Sequence, residues 1–189
     1  MTDTPHITDS HCHLDFESLA ADLPGVIARA GEAGVTRMVT ICTRLKNEPS
    51  VRAIAEAHDP VFYAAGTHPM SAAEEPLASV DELLSLTQHP KMVGIGETGL
   101  DYHYTAESAE VQKTSLRIHI AAARESGLPL IIHARDADDD MARILREEHA
   151  QGAYSCVMHC FSSSAELARA ALELGFYLSM SGITAFPKS

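Results

Sequence analysis

Short apolar runs rich in β-branched residues alternate with longer amphipathic stretches along the whole chain, and this alternation constrains the fold most. It is typical of repeated β-α units, which build a parallel sheet covered by helices. Seven strands are predicted, beginning near Ile7, Val35, Val61, Met92, Leu130, Tyr154 and Phe176. Their spacing suits β-α-β units of about 30 residues. We therefore expect a single α/β domain over residues 1–189.

Capping residues mark where the intervening helices begin and end. Ser79 and Glu82 match the S-x-x-E capping box, and Asn47 precedes another predicted helix start. Three glycines follow helical patterns as C-terminal caps should: Gly34, Gly127 and Gly175. The helix after the fourth strand is predicted to bury an apolar face and to leave its basic residues in solvent. The apolar set is Val111, Leu116, Ile118 and 121–123, and the basic set is Lys113, Arg117 and Arg124.

A string of β-α units can form an open doubly wound sheet or a closed barrel. The first strand lacks the G-x-G-x-x-G sequence that a dinucleotide-binding sheet carries there. Histidines and carboxylates instead follow several different strands, and in a barrel those strand ends converge on one mouth. The predicted fold is therefore a TIM-type (β/α)₈ barrel.

Two histidines, His11 and His13, stand at the end of the first strand. Residues two apart on a strand face the same side, so both can point into the barrel and share a cation. Cys12 between them is expected to face the helices. Two exposed loop histidines explain this short segment equally well when it is taken alone.

Glu97 follows the fourth strand between Gly96 and Gly99. Glycines leave a carboxylate open to close approach, and a carboxylate can bridge two cations about 3.5–4 Å apart. A solvated glutamate in a glycine-rich turn is the alternative. Asp101 and Tyr102, in the same segment, are candidate supporting or substrate-binding groups or ordinary loop residues.

Further candidates end three other strands. His68 lies in G-T-H-P after the third strand, His133 and His159 close the fifth and sixth, and Arg135 is suited to a phosphate or carboxylate. A lone histidine after an apolar strand is more often a core or loop residue, but one convergent metal site explains the whole set. Imidazole and carboxylate ligands suit Zn²⁺, Mn²⁺ or a similar ion. Six histidines are left as background: His6, His58, His89, His103, His119 and His149.

The cysteine content, the net charge and the hydrophobic pattern limit the class of protein. The four cysteines form no CxxC pair and are expected to be reduced thiols, and Cys160 should point away from His159. A formal net charge of −12 argues against a broad basic groove for nucleic acid, although bound cations can reverse the local potential. The start is too polar for a secretory signal, and no stretch approaches a membrane span. We expect a cytoplasmic protein that has no membrane partner.

Taken in order, these motifs resemble those of the TatD family of metal-dependent hydrolases, a branch of the amidohydrolase-like barrels. The matching blocks are D-S-H-C-H-L-D at 9–15, G-T-H-P at 66–69, G-E-T-G-L-D-Y at 96–102, I-I-H-A-R at 131–135, H-C-F-S at 159–162 and S-M-S-G-I-T-A-F at 179–186. Ser163 stands where many members have glycine. The resemblance covers essentially the whole chain.

The resemblance implies a site with two divalent cations, Zn²⁺, Mg²⁺ or Mn²⁺. His11 and His13 would hold one, His133 and His159 the other, and Glu97 would bridge them. His68 and Arg135 would line the substrate pocket, and Asp101 and Tyr102, from the same segment as Glu97, are added as candidate substrate-binding residues. The family is associated with metal-dependent DNase activity, chiefly exonucleolytic, and some relatives with removal of D-amino acids from transfer RNA.

Three functional hypotheses follow. The leading one is a two-metal deoxyribonuclease acting on single-stranded DNA or 3′ ends, with an activated water as the nucleophile. A deacylase acting on D-aminoacyl-tRNA, or on another ester or amide, could use the same ions. The third is a catalytically silent metal-binding protein. We expect a monomer or a weak oligomer.

One family block is missing from the sequence. The family pattern includes an eighth strand with an E-T-D-x-P block, whose aspartate is the expected general base, and nothing after Phe186 matches it. A barrel of this type usually takes about 250 residues. We therefore expect the chain to lack the last strand and helices of the barrel, and so to be C-terminally incomplete.

Overall fold

The structure is a computed structural model that describes residues 6–187. Seven parallel strands lie side by side in chain order and form a curled sheet of barrel type. The strands are β1 (Ile7–Cys12), β2 (Val35–Cys42), β3 (Val61–Ala65), β4 (Met92–Asp101), β5 (Leu130–Arg135), β6 (Cys156–Met158) and β7 (Tyr177–Leu178). The predicted α/β barrel class is confirmed. Two strands begin one or two residues later than predicted, at Cys156 and Tyr177.

Helices follow each strand from β1 to β6. They are α1 (Glu17–Ala20), α2 (Leu23–Glu32), α3 (Glu48–Ala57), α4 (Val80–Leu86), α5 (Ala109–Ser126), α6 (Asp138–His149) and α7 (Ala165–Glu173). Short 3-10 helices span Leu45–Asn47, Pro69–Ser71, Ala106–Ser108 and Gly182–Ala185. Among the described residues, no helix is both long enough and apolar enough to cross a membrane.

The predicted capping signals have mixed outcomes. Ser79 and Glu82 form the reciprocal capping box at the start of α4. Asn47 does precede α3, but its side chain makes no capping hydrogen bond because the residue closes a 3-10 helix. The three predicted C-terminal glycines all have positive φ, between 75° and 94°, as a left-handed cap requires.

Successive residues on a strand face opposite sides of the sheet, and the buried apolar residues divide accordingly. Leu130 and Ile132 belong to the main core, which packs against helical residues such as Ile120 and Ile144. Ile131 between them joins Ile41 and Ala64 in a separate, smaller cluster. The helices therefore cover the outer face of the sheet, and the small cluster marks its inner, concave face.

Helix α5 differs from its predicted pattern. Val111 and Ile118 are only half-buried, whereas three polar residues, Gln112, Ser115 and His119, are buried on the face toward the sheet. The reason is hydrogen bonding: Gln112 and His119 each satisfy backbone groups of loops that follow β4 and β3. Two of the basic residues predicted to face solvent, Arg117 and Arg124, pair with the carboxylate of Glu148 on α6.

Within the described residues the sheet has two unpaired edges, β1 and β7. Strand β7 is two residues long, and its Tyr177 side chain is exposed. Strand β1 pairs with β2 through an irregular register, with shifts after Ile7 and after Asp9.

Candidate metal centre

Seven of the nine predicted site residues line one cavity of about 270 Å³: His11, His13, His68, Glu97, His133, Arg135 and His159. The strand pattern explains why they meet. Cys12 packs with the outer core, so His11 and His13 on either side of it face inward. His133 lies two residues beyond Ile131, which faces inward as well. Their chemical roles remain predictions.

Two groups of possible cation ligands share Glu97. His11, His13 and Glu97 offer three donor atoms within 4.8 Å of one another, and His68, Glu97 and His133 offer a second such set. Glu97 Oε2 lies 3.2 Å from His11 Nε2, and Oε1 lies 3.4 Å from His133 Nδ1. The two oxygens of one buried carboxylate therefore face different histidines.

His159, which the resemblance implies as a ligand of the second cation, lies in the cavity beside His11. Its ring stacks on His11 with centroids 3.3 Å apart and planes 9° apart, and it lines the same cavity. The second group of possible ligands contains His68, and not His159, together with Glu97 and His133. His68 lies edge-on to His133, with ring centroids 4.5 Å apart.

Three of these imidazoles are held neutral. Burial lowers the pKa of His68 to about 4, and burial together with the neighbouring His11 lowers the pKa of His159 to about 4. The same two causes lower the pKa of His13. A neutral imidazole carries the free lone pair that a cation requires, so these rings are ready to act as ligands or as hydrogen-bonding groups near neutral pH.

The pKa values of Glu97 and His133 are shifted by the contacts between them. Burial opposes ionisation of Glu97, but the contacts with His11 and His133 outweigh it and hold the pKa of Glu97 well below its ordinary value. Burial likewise disfavours protonated His133, but Glu97 and Asp101 together raise its pKa. A negative carboxylate at the centre of the cavity is what a divalent cation needs.

Asp101 stands behind His133 and does not line the cavity. It is fully buried, and its Oδ2 accepts a hydrogen bond from His133 Nε2 at 3.0 Å. Its Oδ1 accepts from the backbone N–H groups of His103 and Tyr104. With Nε2–H held by this carboxylate, Nδ1 is the nitrogen that His133 turns toward Glu97. Asp101 is thus placed to support a ligand, as such carboxylates do at many metal sites.

Tyr102 lines a neighbouring cavity. Its hydroxyl donates to Asp140 at 2.8 Å, and it borders a space of about 1070 Å³ that also contacts Arg135. Asp136, Asp138 and Asp139 line that same space. Arg135 therefore stands between a histidine-rich cavity and an acidic one.

Glycines allow β3 and β4 to approach each other at the site. A methyl group at Gly66 would meet Gly96 Cα at 2.6 Å, so only glycine fits. Gly96 has φ of 126° and Gly99 of 145°, both in the region that side chains avoid, and the Gly96–Glu97 peptide bond is cis. This close approach brings His68 Nε2 within 3.8 Å of Glu97 Oε1.

The residues present fit divalent cations. Two buried nitrogens in this cavity, His11 Nδ1 and His13 Nδ1, have no hydrogen-bond partner, and His11 Nε2 lies near the Glu97 carboxylate without hydrogen-bond geometry. Each buried polar atom without a partner costs about 1–3 kcal/mol, and cation ligation satisfies an imidazole lone pair. In the part of the chain that the structure describes, the two sets sharing Glu97 are the only clusters of this kind.

Sequence reasoning missed three contributors. Phe16 stacks on His13 with centroids 4.6 Å apart, is half-exposed, and lines a shallow cavity of about 320 Å³ beside the site. Gln112 and His119 reach the site loops from α5. Their spacing with Ser115, at positions i, i+3 and i+7, is the available signal that they share one helix face.

The expected general-base aspartate has no counterpart here. Among the described residues, Glu97 is the one carboxylate that lines the histidine-rich cavity.

Comparison with known proteins gives a consistent result. The family described as TatD related DNase matches residues 8–189. The chain is 41% identical over 181 residues to the uncharacterized metal-dependent hydrolase YabD of Bacillus subtilis, covering 94% of this chain and 69% of that protein. It is 39% identical to the uncharacterized metal-dependent hydrolase YcfH of Escherichia coli K12, covering 95% and 68%. The crystal structure of YjjV, a TatD homologue from the same organism, superposes with a TM-score of 0.87 at 30% identity, covering 97% and 71%.

Proposed function

The chain belongs to the TatD-related DNase family of metal-dependent hydrolases, and on that basis we propose that it is a two-metal deoxyribonuclease that removes nucleotides from DNA ends. The observation that carries the proposal is the position of Glu97. One buried carboxylate is shared by two candidate ligand sets, and a carboxylate so placed could serve two cations, a pairing that suits in-line displacement at phosphorus.

When bound, a pair of divalent cations supplies the Lewis acidity that activates a water and neutralises charge on a phosphoryl oxygen. By the family resemblance, the residues that would hold them are His11, His13, Glu97, His133 and His159. All five line the same cavity, and His68, which lies close enough to Glu97 and His133 to form a ligand set, is proposed instead to face the substrate. Glu97 contributes the negative charge between the two sets. Asp101 keeps the proton of His133 on Nε2 and so leaves Nδ1 free on the cavity side.

Two side chains are placed to bind the phosphate. His68 Nδ1 accepts from the Met70 N–H at 3.3 Å, so the neutral ring carries its proton on Nε2, which faces the cavity. Arg135 borders the cavity with its guanidinium 4.9 Å from the ring centroid of Tyr104. A planar guanidinium and an imidazole N–H both donate to phosphate oxygens.

Aromatic side chains around the site support a nucleic-acid substrate. The exposed rings of Phe16 and Tyr104 lie at the rim, and bases of single-stranded DNA stack on such rings whatever their sequence. The large cavity beyond Arg135 is lined by aspartates, which repel a polyanion. We therefore propose that the strand lies on the Phe16 side and presents an unpaired end.

A cleavage assay tests the proposal. The chain is incubated with Mg²⁺, Mn²⁺ or Zn²⁺ and a single-stranded oligonucleotide labelled at its 5′ end. We expect stepwise shortening that EDTA abolishes. Glu97→Gln should lose at least about 100-fold in rate, more than the 10–100-fold typical of residues that only support a ligand. Glu107→Gln, the same change at an exposed glutamate of the loop after β4, should cleave at the wild-type rate.

Three results would refute the proposal. Wild-type rates for Glu97→Gln would show that the shared carboxylate is not the centre of the site. Cation-dependent cleavage of D-aminoacyl-tRNA by a chain that leaves DNA intact would assign the site to a deacylase. A protein that binds cations but cleaves neither substrate would support the third hypothesis, that of a metal-binding protein without catalytic activity.

We propose further that the protein is cytoplasmic and that it is a monomer or a weak oligomer. All four cysteines are free thiols, as is usual in reducing compartments.

A further inference from the structure

His119 is a buried histidine outside the cavity, and both of its ring nitrogens have fixed partners. It lies in the middle of α5 with 1% of its surface exposed. Nε2 accepts a hydrogen bond from the Thr67 N–H at 3.1 Å, and Nδ1 lies 2.8 Å from the Ser115 carbonyl oxygen. An amide N–H can only donate and a carbonyl oxygen can only accept. The ring is therefore neutral, with its proton on Nδ1 and its lone pair on Nε2.

Thr67 belongs to the loop that carries His68. The flanking N–H groups of this loop are tied to the end of β2, since Gly66 donates to Cys42 and His68 donates to Thr43. The N–H of Thr67 points the other way, toward α5, where His119 accepts it. Thr67 is almost fully buried, so water cannot easily replace this acceptor. The loop is thus held from two sides, by strand β2 and by His119.

The direction of the His68 ring depends on this loop. Met70, at the start of the same turn, donates to His68 Nδ1 and so leaves the proton on Nε2. Nε2 then faces Glu97 Oε1 at 3.8 Å across the cavity. A shift of the backbone at Thr67 would move both the ring and the turn that sets its tautomer.

We propose that His119 is a positioning residue: through the N–H of Thr67 it fixes the loop that directs the Nε2–H of His68 into the cavity. The proposal deepens the proposed function, because His68 is its phosphate donor. An aliphatic side chain would need no hydrogen-bond partner at this buried position of α5, where the helix neighbours Leu116 and Ile120 belong to the main core. What the imidazole adds is an acceptor of the right length for Thr67.

The test compares His119→Gln, whose amide oxygen can replace Nε2 as an acceptor, with His119→Leu, which has no acceptor. His149 on α6, half-buried against Tyr154 and Phe176, gives matched controls for the same two changes. We expect His119→Leu to lose about 10–100-fold in kcat/KM on the oligonucleotide, the range found for groups that orient a metal ligand and applied here to the loop of His68. His119→Gln should recover most of this, and both His149 variants should match the wild type. Cation affinity, measured by chelator competition, should stay unchanged in all four variants.

A second readout does not depend on activity. Long-range ¹⁵N–¹H spectra of the cation-free wild-type protein should show His119 as the Nδ1–H form and His68 as the Nε2–H form. In His119→Leu the His68 signals should broaden or shift to a mixture of forms, and in His119→Gln they should stay as in the wild type. A chain that fails to cleave DNA refutes the proposed function and leaves this spectral test intact.

Each contrary result overturns the proposal, either at the contact between His119 and Thr67 or at the donor role of His68. If His119→Leu keeps wild-type kinetics and His68 signals, the contact with Thr67 has no influence on the site. If cation affinity falls in His119→Leu, His68 is a ligand and not a donor. If His119→Leu does not fold, the wild-type spectra still decide, because an Nε2–H form of His119 or an Nδ1–H form of His68 contradicts the proposal.

Discussion

Replacing Asp101 by asparagine should weaken cation binding without removing any candidate ligand. In the native protein, Asp101 Oδ1 accepts two backbone N–H groups and Oδ2 accepts from His133 Nε2 at 3.0 Å. An asparagine has one oxygen and one NH₂ group. If the oxygen keeps the two backbone N–H groups, the NH₂ faces His133 and forces its proton from Nε2 to Nδ1. That proton then occupies the nitrogen directed at Glu97.

The opposite orientation of the asparagine amide in Asp101→Asn, with its oxygen toward His133, would also destabilise the site. The NH₂ group would then face two backbone N–H donors, and buried donors without acceptors cost about 1–3 kcal/mol each. Loss of such a supporting carboxylate typically costs 10–100-fold in metal affinity or activity, which equals about 1.4–2.8 kcal/mol. We expect Asp101→Asn to lose cation affinity in this range and to lose cleavage rate with it.

The assay is competition between the protein and a chelator for Mn²⁺ or Zn²⁺, with cleavage measured at saturating cation. Asp140→Asn provides the matched control, because Asp140 bonds Tyr102 and Arg143 and touches no candidate ligand. Wild-type cation affinity in Asp101→Asn would refute the reasoning, since His133 would then bind without help from Asp101. An equal loss in Asp140→Asn would assign the effect to general destabilisation.

Three further predictions concern the rim, the backbone and the pH dependence. Phe16→Ala should raise KM for a single-stranded oligonucleotide by about 10-fold, within the 1–3 kcal/mol reported per stacked base, and should leave hydrolysis of methyl p-nitrophenyl phosphate unchanged. Gly99→Ala should lower the free energy of unfolding by about 3 kcal/mol, because the new side chain strains the backbone and clashes with the backbone of β5. Gly127→Ala is the control, since Gly127 has open space around it, and should cost about 1 kcal/mol. Equal urea midpoints for the two variants would contradict this prediction. Burial lowers the pKa of His119 to about 4, so the unfolded chain takes up a proton below pH 6.5 and the native protein does not. The stability that this group contributes is present above pH 6.5 and is lost as the pH falls toward 4, and the loss between pH 7 and pH 5 is about 2 kcal/mol. Over the same pH interval, the free energy of unfolding of His119→Gln should fall by about 2 kcal/mol less than that of the wild type. Parallel curves of stability against pH for the two proteins would contradict the assignment.

The gathering of the histidines could be predicted because it depends on two local rules. Alternation along a strand decides which side chains face inward, and parallel strands bring their carboxyl ends to one edge. His11, His13 and His133 follow these rules directly. The position of Glu97 could also be predicted, because its flanking glycines indicate that another group can approach the carboxylate closely.

The supporting residues could not be predicted in the same way. His119 lies 52 residues from Thr67, and a histidine on an amphipathic helix is ordinarily counted with the solvent-facing residues. Asp101 looked like a loop carboxylate because β4 continues through it, two residues farther than a run ending in glycines indicates. Both roles depend on contacts between elements, which periodicity does not encode.

Within the described residues, the two edge strands of the sheet, β1 and β7, bear on aggregation. An exposed strand edge is a template on which another chain can add a strand, and long, flat edges are the dangerous ones. Here β7 offers only two residues, and the irregular register of β1 breaks the straight row of backbone groups that a neighbour would need. A second chain can therefore form few consecutive hydrogen bonds at either of these edges, so strand addition there is disfavoured.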